Sequence, residues 1–233
     1  MRKVFVVIFL IIFSINNLKA QKRDIVQYKQ NWDKQKIFWG YFLGLNKKDY
    51  KISYNDKLNP NAFIVSTPSI GFEVGLIGDL RLHKNISLRL EPGLSSNSKE
   101  LAFTHIEEPR DSIREVNSTY FRIPLLLKFN ADRLDNMRPY VIAGFSYDYN
   151  FSSNQDNPDD NEQGEFRTKK NNFSYELGIG VDLYLPYFIF SPSIRGVFAI
   201  NDELVRDNIP NSQWTGSVDY FGTRGVFIKF AFH

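Results

Sequence analysis

Residues 70–82 read IGFEVGLIGDLRL, a segment in which apolar side chains fall on every second position. The apolar set is Ile70, Phe72, Val74, Leu76, Leu80 and Leu82, whereas Glu73, Asp79 and Arg81 occupy the alternate positions. Because successive side chains of a strand point to opposite faces, this period of two predicts a strand with one apolar face and one polar face.

The same alternation recurs along the rest of the chain. It predicts strands over 37–45, 70–82, 86–95, 120–129, 140–149, 173–185, 188–200 and 223–232. The connections are alternately long (46–69, 96–115, 151–172, 201–222) and short (83–85, 131–138, 186–187). This alternation is typical of bacterial outer-membrane barrels, which have long extracellular loops and short periplasmic turns. We therefore predict an all-β protein whose residues 37–233 form an eight-stranded antiparallel transmembrane β-barrel. A soluble antiparallel sandwich is the alternative, with the apolar faces in a core.

The polar faces of the predicted strands carry equal numbers of acidic and basic side chains. The set consists of Glu73, Asp79, Arg81, Arg89, Glu91, Arg122, Lys128, Asp148, Glu176, Asp182, Arg195 and Lys229. The interior of an eight-stranded barrel is just wide enough for side chains to fill it. Because an unpaired buried charge costs several kcal/mol, we expect these groups to pair across a filled lumen in a structural network. The aromatic residues near strand ends suit the interfacial girdles of such a barrel: Trp39, Tyr41, Tyr120, Tyr140, Tyr147, Tyr149, Tyr184 and Tyr187.

The first 20 residues have the build of a secretory signal peptide. Arg2 and Lys3 precede an apolar stretch over residues 4–12, and Ala20 ends the segment at a plausible cleavage point. Removing residues 1–20 leaves 26 basic and 26 acidic residues out of the 29 and 26 of the whole chain. The mature chain is then formally neutral, which argues against nucleic acid as a partner. We predict an outer-membrane location with both termini in the periplasm and membrane lipid as a partner.

Residues 21–36 form a basic segment ahead of the first predicted strand. Ile25, Tyr28 and Trp32 are spaced as on one side of a helix, and the surrounding basic residues are Arg23, Lys29, Lys34 and Lys36. The pattern is compatible with a short amphipathic helix that plugs the barrel, contacts anionic headgroups or docks a periplasmic partner. A disordered leader is the alternative, since helices this short are marginal in isolation.

Catalytic and cofactor chemistry finds little support in the composition. The chain has no cysteine and three histidines. A rim protease would have to use His105 with Glu107, Glu108 or Asp111, and residues 156–162 could offer oxygen ligands to calcium, but they lack the spacing of an EF-hand loop. A Gly-x-Ser-x-Gly elbow and a phosphate-binding glycine loop are absent from the sequence. We expect no catalytic residue, no cofactor and no metal ion.

Several segments in order resemble the PorT family of Bacteroidota. They read FWGYFLGLN at 38–46, GLIGDLRL at 75–82, LRLEPGL at 88–94, STY at 118–120, PLLLKF at 124–129 and RPY at 138–140. The resemblance implies an outer-membrane β-barrel required by the type IX secretion system, which exports cargo carrying a C-terminal secretion domain and in some species supports gliding. Other components of that system would then be partners. A surface adhesion or envelope-stability barrel, or less favourably an outer-membrane protease, is the alternative function.

Overall fold

A computed structural model describes residues 26–54, 63–106, 112–156, 167–207 and 214–233. Within these ranges a 3₁₀ helix, Trp32–Lys34, precedes ten antiparallel strands. The strands are β1 (Ile37–Tyr54), β2 (Ile64–Pro68), β3 (Ile70–His83), β4 (Ile86–Leu90), β5 (Gly93–Phe103), β6 (Ile113–Asn130), β7 (Met137–Asn150), β8 (Asn171–Tyr184), β9 (Ile189–Ala199) and β10 (Val218–Phe232). No helix in the described ranges is long and apolar enough to cross a membrane.

The strands form a barrel wall, because β1 pairs with β10 on one side and with β3 on the other. From β10 the pairing continues through β9, β8, β7 and β6 to β4 and β5, which in turn pair with β3. Strands β2 and β3 follow one another along the same line of the wall, as do β4 and β5. The ten strands therefore occupy eight positions around the barrel, which we call staves. The predicted antiparallel barrel is confirmed. The structure has ten strands rather than the predicted eight, because two of the eight staves are interrupted.

Each interruption has a local cause. Between β4 and β5, Pro92 has no backbone N–H to donate, although its carbonyl still accepts the N–H of Leu76 at 2.9 Å. Between β2 and β3, the inward-facing side chains change from even to odd positions at Ser69, as expected of a bulge: Ile64 and Glu73 are both buried. The first break leaves the inward face unchanged, whereas the second shifts it by one residue.

The strands are longer on the long-loop side than the sequence predicts. Strand β1 continues to Tyr54, β5 continues to Phe103 and β6 begins at Ile113. The predicted loops 46–69 and 96–115 were therefore too long. In β5 the outward side chains become polar, as at Ser98, while inward ones become apolar, as at Leu101. Beyond the apolar belt the inward side chains are apolar and the outward ones polar, which is the reverse of the order within the belt. This reversal makes the ends of the strands hard to recognise in the sequence.

The outer wall carries a continuous apolar belt. Its most exposed members include Trp39 (74%), Leu76 (65%) and Phe145 (67%). Both ends of the barrel chain, at Ile37 and Phe232, lie on the side of the short connections, which faces the periplasm in bacterial outer-membrane barrels. Three of the eight aromatic residues assigned to the girdles, Tyr120, Tyr140 and Tyr184, instead lie inside, each at most 4% exposed.

Candidate functional site

The barrel interior is filled by charged side chains. The structure places eleven of the twelve predicted lumen charges there, each at most 8% exposed: Glu73, Asp79, Arg89, Glu91, Arg122, Lys128, Asp148, Glu176, Asp182, Arg195 and Lys229. Arg81 lies instead at the periplasmic end, where its guanidinium is 3.6 Å from Asp33. Polar faces therefore point inward along the part of the wall that bears the apolar belt.

Glu91 is the centre of the first part of this network. Its two carboxylate oxygens accept hydrogen bonds from Arg195 at 2.7 and 2.8 Å. Lys229 donates to one of them at 3.1 Å, and Arg89 lies 3.4 Å from the other. Glu91 follows β4 and Arg195 lies on β9, which are four staves apart in a ring of eight. The ion pair therefore crosses the lumen between opposite walls.

Arg122 is the centre of the second part. Its guanidinium donates to Asp148 at 3.0 Å, to Glu73 at 3.2 Å and to Glu176 at 2.5 Å. The two parts are joined, because Lys229 also lies 3.2 Å from Glu73, and Arg195 lies 3.7 Å from Glu176. Buried charge is tolerated only when it is paired and hydrogen-bonded, and here each guanidinium contacts more than one carboxylate.

A third set of pairs lies nearer the periplasm. Asp79 and Arg89 are cross-strand partners, and the Arg89 Nε donates to Asp79 at 2.8 Å. Lys128 donates to Asp182 at 2.7 and 2.9 Å, and its ammonium lies 4.1 Å from the centre of the Tyr140 ring. The network thus continues from the middle of the barrel to its periplasmic end.

Two glycines of β8 make room for large interior side chains. A Cβ at Gly180 would lie 2.4 Å from the ring of Tyr140, its cross-strand partner. A Cβ at Gly178 would lie 2.6 Å from the Cγ of Arg195, again the cross-strand partner. Only glycine allows these side chains to lie flat against the wall, so the interior is filled without forcing the strands apart.

The periplasmic end is closed by residues 26–36, which we call the N-terminal plug. Asp33 holds the plug to the barrel. The Asp33 carboxylate lies 3.1 Å from Arg138, 3.2 Å from Arg133 and 3.6 Å from Arg81. The Tyr184 hydroxyl donates to Asp33 at 3.0 Å. Trp32 packs beside Phe38 with ring centres 4.9 Å apart, and its ring centre lies 6.4 Å from that of His233.

The turn between β6 and β7 holds the start of the plug. Asn136 accepts a hydrogen bond from the backbone N–H of Tyr28 and donates to the carbonyl of Val26, both at 2.9 Å. Arg133 donates to the carbonyl of Tyr28. A cavity of about 30 Å³ remains between the plug and the lower ion pairs, enough for a water molecule or two.

The plug differs from the predicted amphipathic helix. Its only helical part within residues 26–36 is the single 3₁₀ turn Trp32–Lys34. Lys34 and Lys36 are exposed and Lys29 is half-buried, whereas Trp32 faces the barrel and Tyr28 is 38% exposed. Arg23 lies outside the described residues. The sequence reading missed Asp33 because it treated the segment as basic.

The extracellular end is closed by an apolar cluster inside the barrel. Its members are Tyr50, Ile64, Leu101, Phe103, Val116, Leu204, Val218 and Phe221. Two buried lysines lie below it, with Lys99 3.7 Å from the Tyr50 ring and Lys48 4.4 Å from the Tyr120 ring. Most of these residues were missed because they fall in predicted loops that are strands in the structure, whereas Leu204 lies in the connection between β9 and β10.

Glu203 lies buried in the connection between β9 and β10. Thr223 donates to it from its hydroxyl at 2.7 Å and from its backbone N–H at 3.1 Å. Burial raises the pKa of the Glu203 carboxyl, and the hydrogen bonds from Thr223 partly offset this effect. The connection is thereby tied to the inner wall of β10.

The rim residues considered for catalysis or calcium are only partly described. His105 is half-buried beside Phe103, whereas Glu107, Glu108 and Asp111 lie outside the described residues. Residues 157–162 also lie outside them, and Asp156 pairs with Lys170. Among the side chains that the structure places, no group of three or more potential metal ligands occurs.

Comparison with known proteins agrees with this architecture. A family model described as the outer membrane protein beta-barrel domain matches residues 20–205, so the chain belongs to this family. It is an outer-membrane β-barrel protein, embedded in the lipid of that membrane. A comparison with curated proteins finds no match.

Solved structures similar to the chain are also outer-membrane proteins. OprG from Pseudomonas aeruginosa aligns with a TM-score of 0.50 and 14% identity, covering 84% of this chain and 95% of that chain. Neisserial surface protein A aligns with a TM-score of 0.47 and 9% identity over 84% and 98% of the two chains. Ail, the attachment invasion locus protein of Yersinia pestis, aligns with a TM-score of 0.40 and 14% identity over 85% and 98%. At these identities the likeness concerns the fold alone.

Proposed function

We propose that this chain is a non-catalytic component of type IX protein secretion, the role implied by the resemblance of its segments to the PorT family. The observation that carries the mechanism is the closure of the barrel interior. Ion pairs fill the middle, an apolar cluster fills the extracellular end and the N-terminal plug covers the periplasmic end. A folded cargo protein has no path through such a lumen. The barrel therefore acts beside the export route, by holding or assembling other components of the system.

The two surfaces outside the membrane are the places where such components would bind. On the periplasmic side these are the plug, with Lys34 and Lys36 exposed, and the short turns. On the extracellular side they are the ends of β1, β5 and β6 beyond the apolar belt. No residue of either surface is assigned a catalytic role, in line with the absence of a recognisable catalytic motif in the sequence.

The test is deletion of the gene followed by fractionation of the culture. Proteins with C-terminal secretion domains are assayed in periplasm, cell surface and medium, together with a periplasmic marker that reports leakage. We expect cargo to accumulate in the periplasm, the marker to stay in place and the wild-type gene to restore export. Normal delivery of cargo to the surface in the deletion strain would disprove the secretion role while leaving the barrel assignment intact.

A surface adhesion or envelope-stability role is the second candidate, and one observation favours it. The strands continue past the apolar belt and enclose a core of their own, which gives the extracellular end a rigid shape suited to binding. This role predicts that the deletion strain exports cargo normally but loses attachment or leaks the periplasmic marker. The same cultures therefore distinguish the two functions.

A further inference from the structure

The outer wall bears a groove where β1, β9 and β10 approach the extracellular side. Its volume is about 440 Å³, and it is lined by Lys47 and Asp49 of β1, Arg224 and Val226 of β10, Phe198 of β9 and Pro68 of β2. Cations and apolar side chains thus share one surface on the outer wall, distinct from the lumen and bordering the extracellular ends of the strands.

The register of the strands places this groove at the edge of the apolar belt. Lys47 lies between Val226 on one neighbouring strand and Ile70 on the other, and these two are 51% and 74% exposed. The outward residues of β1 on the periplasmic side of this position are apolar, whereas those beyond it are Asp49 and Lys51. Lys47 and Arg224 therefore lie where lipid headgroups of the outer leaflet meet water.

The cations of the groove exceed its acids. Arg224 donates to Asp49 at 2.9 Å, and the other oxygen of that carboxylate accepts the backbone N–H of Tyr50 at 2.8 Å. This pair fixes the guanidinium and leaves its Nη1 without a partner among the described residues. Lys47 and Lys51 also form no hydrogen bond or ion pair within the part of the chain that the structure places. Lys47, Lys51 and Arg224 against Asp49 give these neighbouring outward positions a net charge of +2, and Asp219, the other exposed acid of β10, lies nearer the extracellular end of the strand.

Acidic side chains predominate on the outer face of β5 and β6, which lie two and three staves from β1. There Glu100 of β5 and Glu115 of β6 are cross-strand partners, and both are exposed. The excess of cations at Lys47, Lys51 and Arg224 therefore does not extend to β5 and β6.

We propose that Lys47 and Arg224, supported by Lys51, bind the phosphorylated headgroup of an outer-leaflet lipid, with an acyl chain lying on Val226 and Phe198. Arginine donates in parallel to two oxygens of a phosphate, and lysine adds a point charge. Basic residues directly beside a membrane span attract anionic lipid. The apolar floor selects a lipid over a soluble phosphate, since only a lipid would cover it.

The test titrates the purified barrel in an uncharged detergent with diphosphoryl lipid A and counts bound molecules by native mass spectrometry. Dephosphorylated lipid A and inorganic phosphate are titrated in parallel. We expect the wild type to bind diphosphoryl lipid A, and Lys47→Gln combined with Arg224→Gln to weaken that binding about tenfold or more. Lys84→Gln removes a comparably exposed charge from a periplasmic turn and should leave the affinity unchanged.

Lys47→Gln alone keeps the Arg224–Asp49 pair, so it tests the groove without disturbing that contact, and we expect it to weaken binding by a smaller factor. A heat-modifiability gel establishes that each variant is folded. Equal lipid affinity of the wild type and the double variant would overturn the proposal, as would equal affinity for the dephosphorylated lipid. Binding of inorganic phosphate as tight as that of the lipid would overturn it too, because the apolar floor would then have no part.

Discussion

Glu91 and Arg195 face each other from opposite walls of the barrel, and both guanidinium Nη atoms donate to the carboxylate, at 2.7 and 2.8 Å. Both side chains are almost completely buried. A two-point contact of this kind fixes the separation of the two walls as well as their relative height. Both charges lie away from water, so the loss of one would leave the other buried without solvent to stabilise it.

We expect Glu91→Gln to destabilise the barrel by about 3–5 kcal/mol, because three cations would share one less carboxylate in a buried site. The free energy of unfolding can be measured by urea titration in lipid vesicles and the folded fraction by heat modifiability. Glu100→Gln is the matched control, since Glu100 is exposed on the outer wall and its change should alter stability by less than about 0.5 kcal/mol. Equal midpoints for the two variants would contradict the bracing role of Glu91.

Gly180→Ala should destabilise the barrel by about 1–3 kcal/mol, since the new methyl group would meet the ring of Tyr140 at 2.4 Å inside a filled lumen. Gly78→Ala serves as the comparison. Its methyl group would meet only the exposed ring of Trp39, at 3.2 Å, which is free to move. The midpoints of thermal unfolding should therefore fall for the first variant and stay within error for the second. A fall of the same size in both would mean that the position of Tyr140 is not the cause.

Asp33→Asn should loosen the N-terminal plug while leaving the wall intact. Three arginines and one hydroxyl contact this carboxylate, which is partly exposed, so we expect amide exchange over residues 26–36 to rise about tenfold. Hydrogen exchange read by mass spectrometry gives this value peptide by peptide. Asp132→Asn removes the same charge from the neighbouring turn, where the side chain contacts Lys84 and Asn85 but no residue of the plug, and should not change exchange in the plug. Unchanged exchange in Asp33→Asn would show that the apolar contacts of Trp32 hold the plug by themselves.

Vesicles that contain the wild-type barrel should exclude small sugars as well as empty vesicles do, because the lumen is filled at three levels. A chain lacking residues 26–36 should exclude them equally, since the ion pairs around Glu91 and Arg122 remain. Swelling rates in arabinose, with a general porin as the positive control, measure this directly. Swelling of the wild-type vesicles above the empty ones would contradict a closed interior.

The alternation of side chains along the strands was sufficient to predict the barrel and the charged residues that line it within the apolar belt. The prediction succeeded because the outer face meets lipid and the inner face carries charge, so that successive side chains differ strongly in polarity. Leu76 on the outer face and Glu73 on the inner face are examples. The contrast disappears above the belt, where Lys99 faces inward and Glu100 outward in a wall that meets water. Strand ends there depend on pairing with neighbours and on the apolar cluster, neither of which has a local signal.

Two errors had different origins. Tyr120, Tyr140 and Tyr184 were assigned to the membrane interface from their type and their place near strand ends, although their positions in the alternation already placed them on the inward face. The role of Asp33 could not be deduced in that way. Its partners lie on three different staves and one turn, and only the closed barrel brings those residues to the same point.

The docking of the plug has a consequence for the order in which the molecule is completed. Trp32 and Asp33 are synthesised before every residue of the barrel that they contact, and these partners include Arg81 of β3, Tyr184 of β8 and His233 after β10. Trp32 and Asp33 can make all of these contacts only when β10 has paired with β1. The N-terminal plug is therefore the first part of the mature barrel protein to be synthesised and the last to dock, because docking requires that all eight staves have paired.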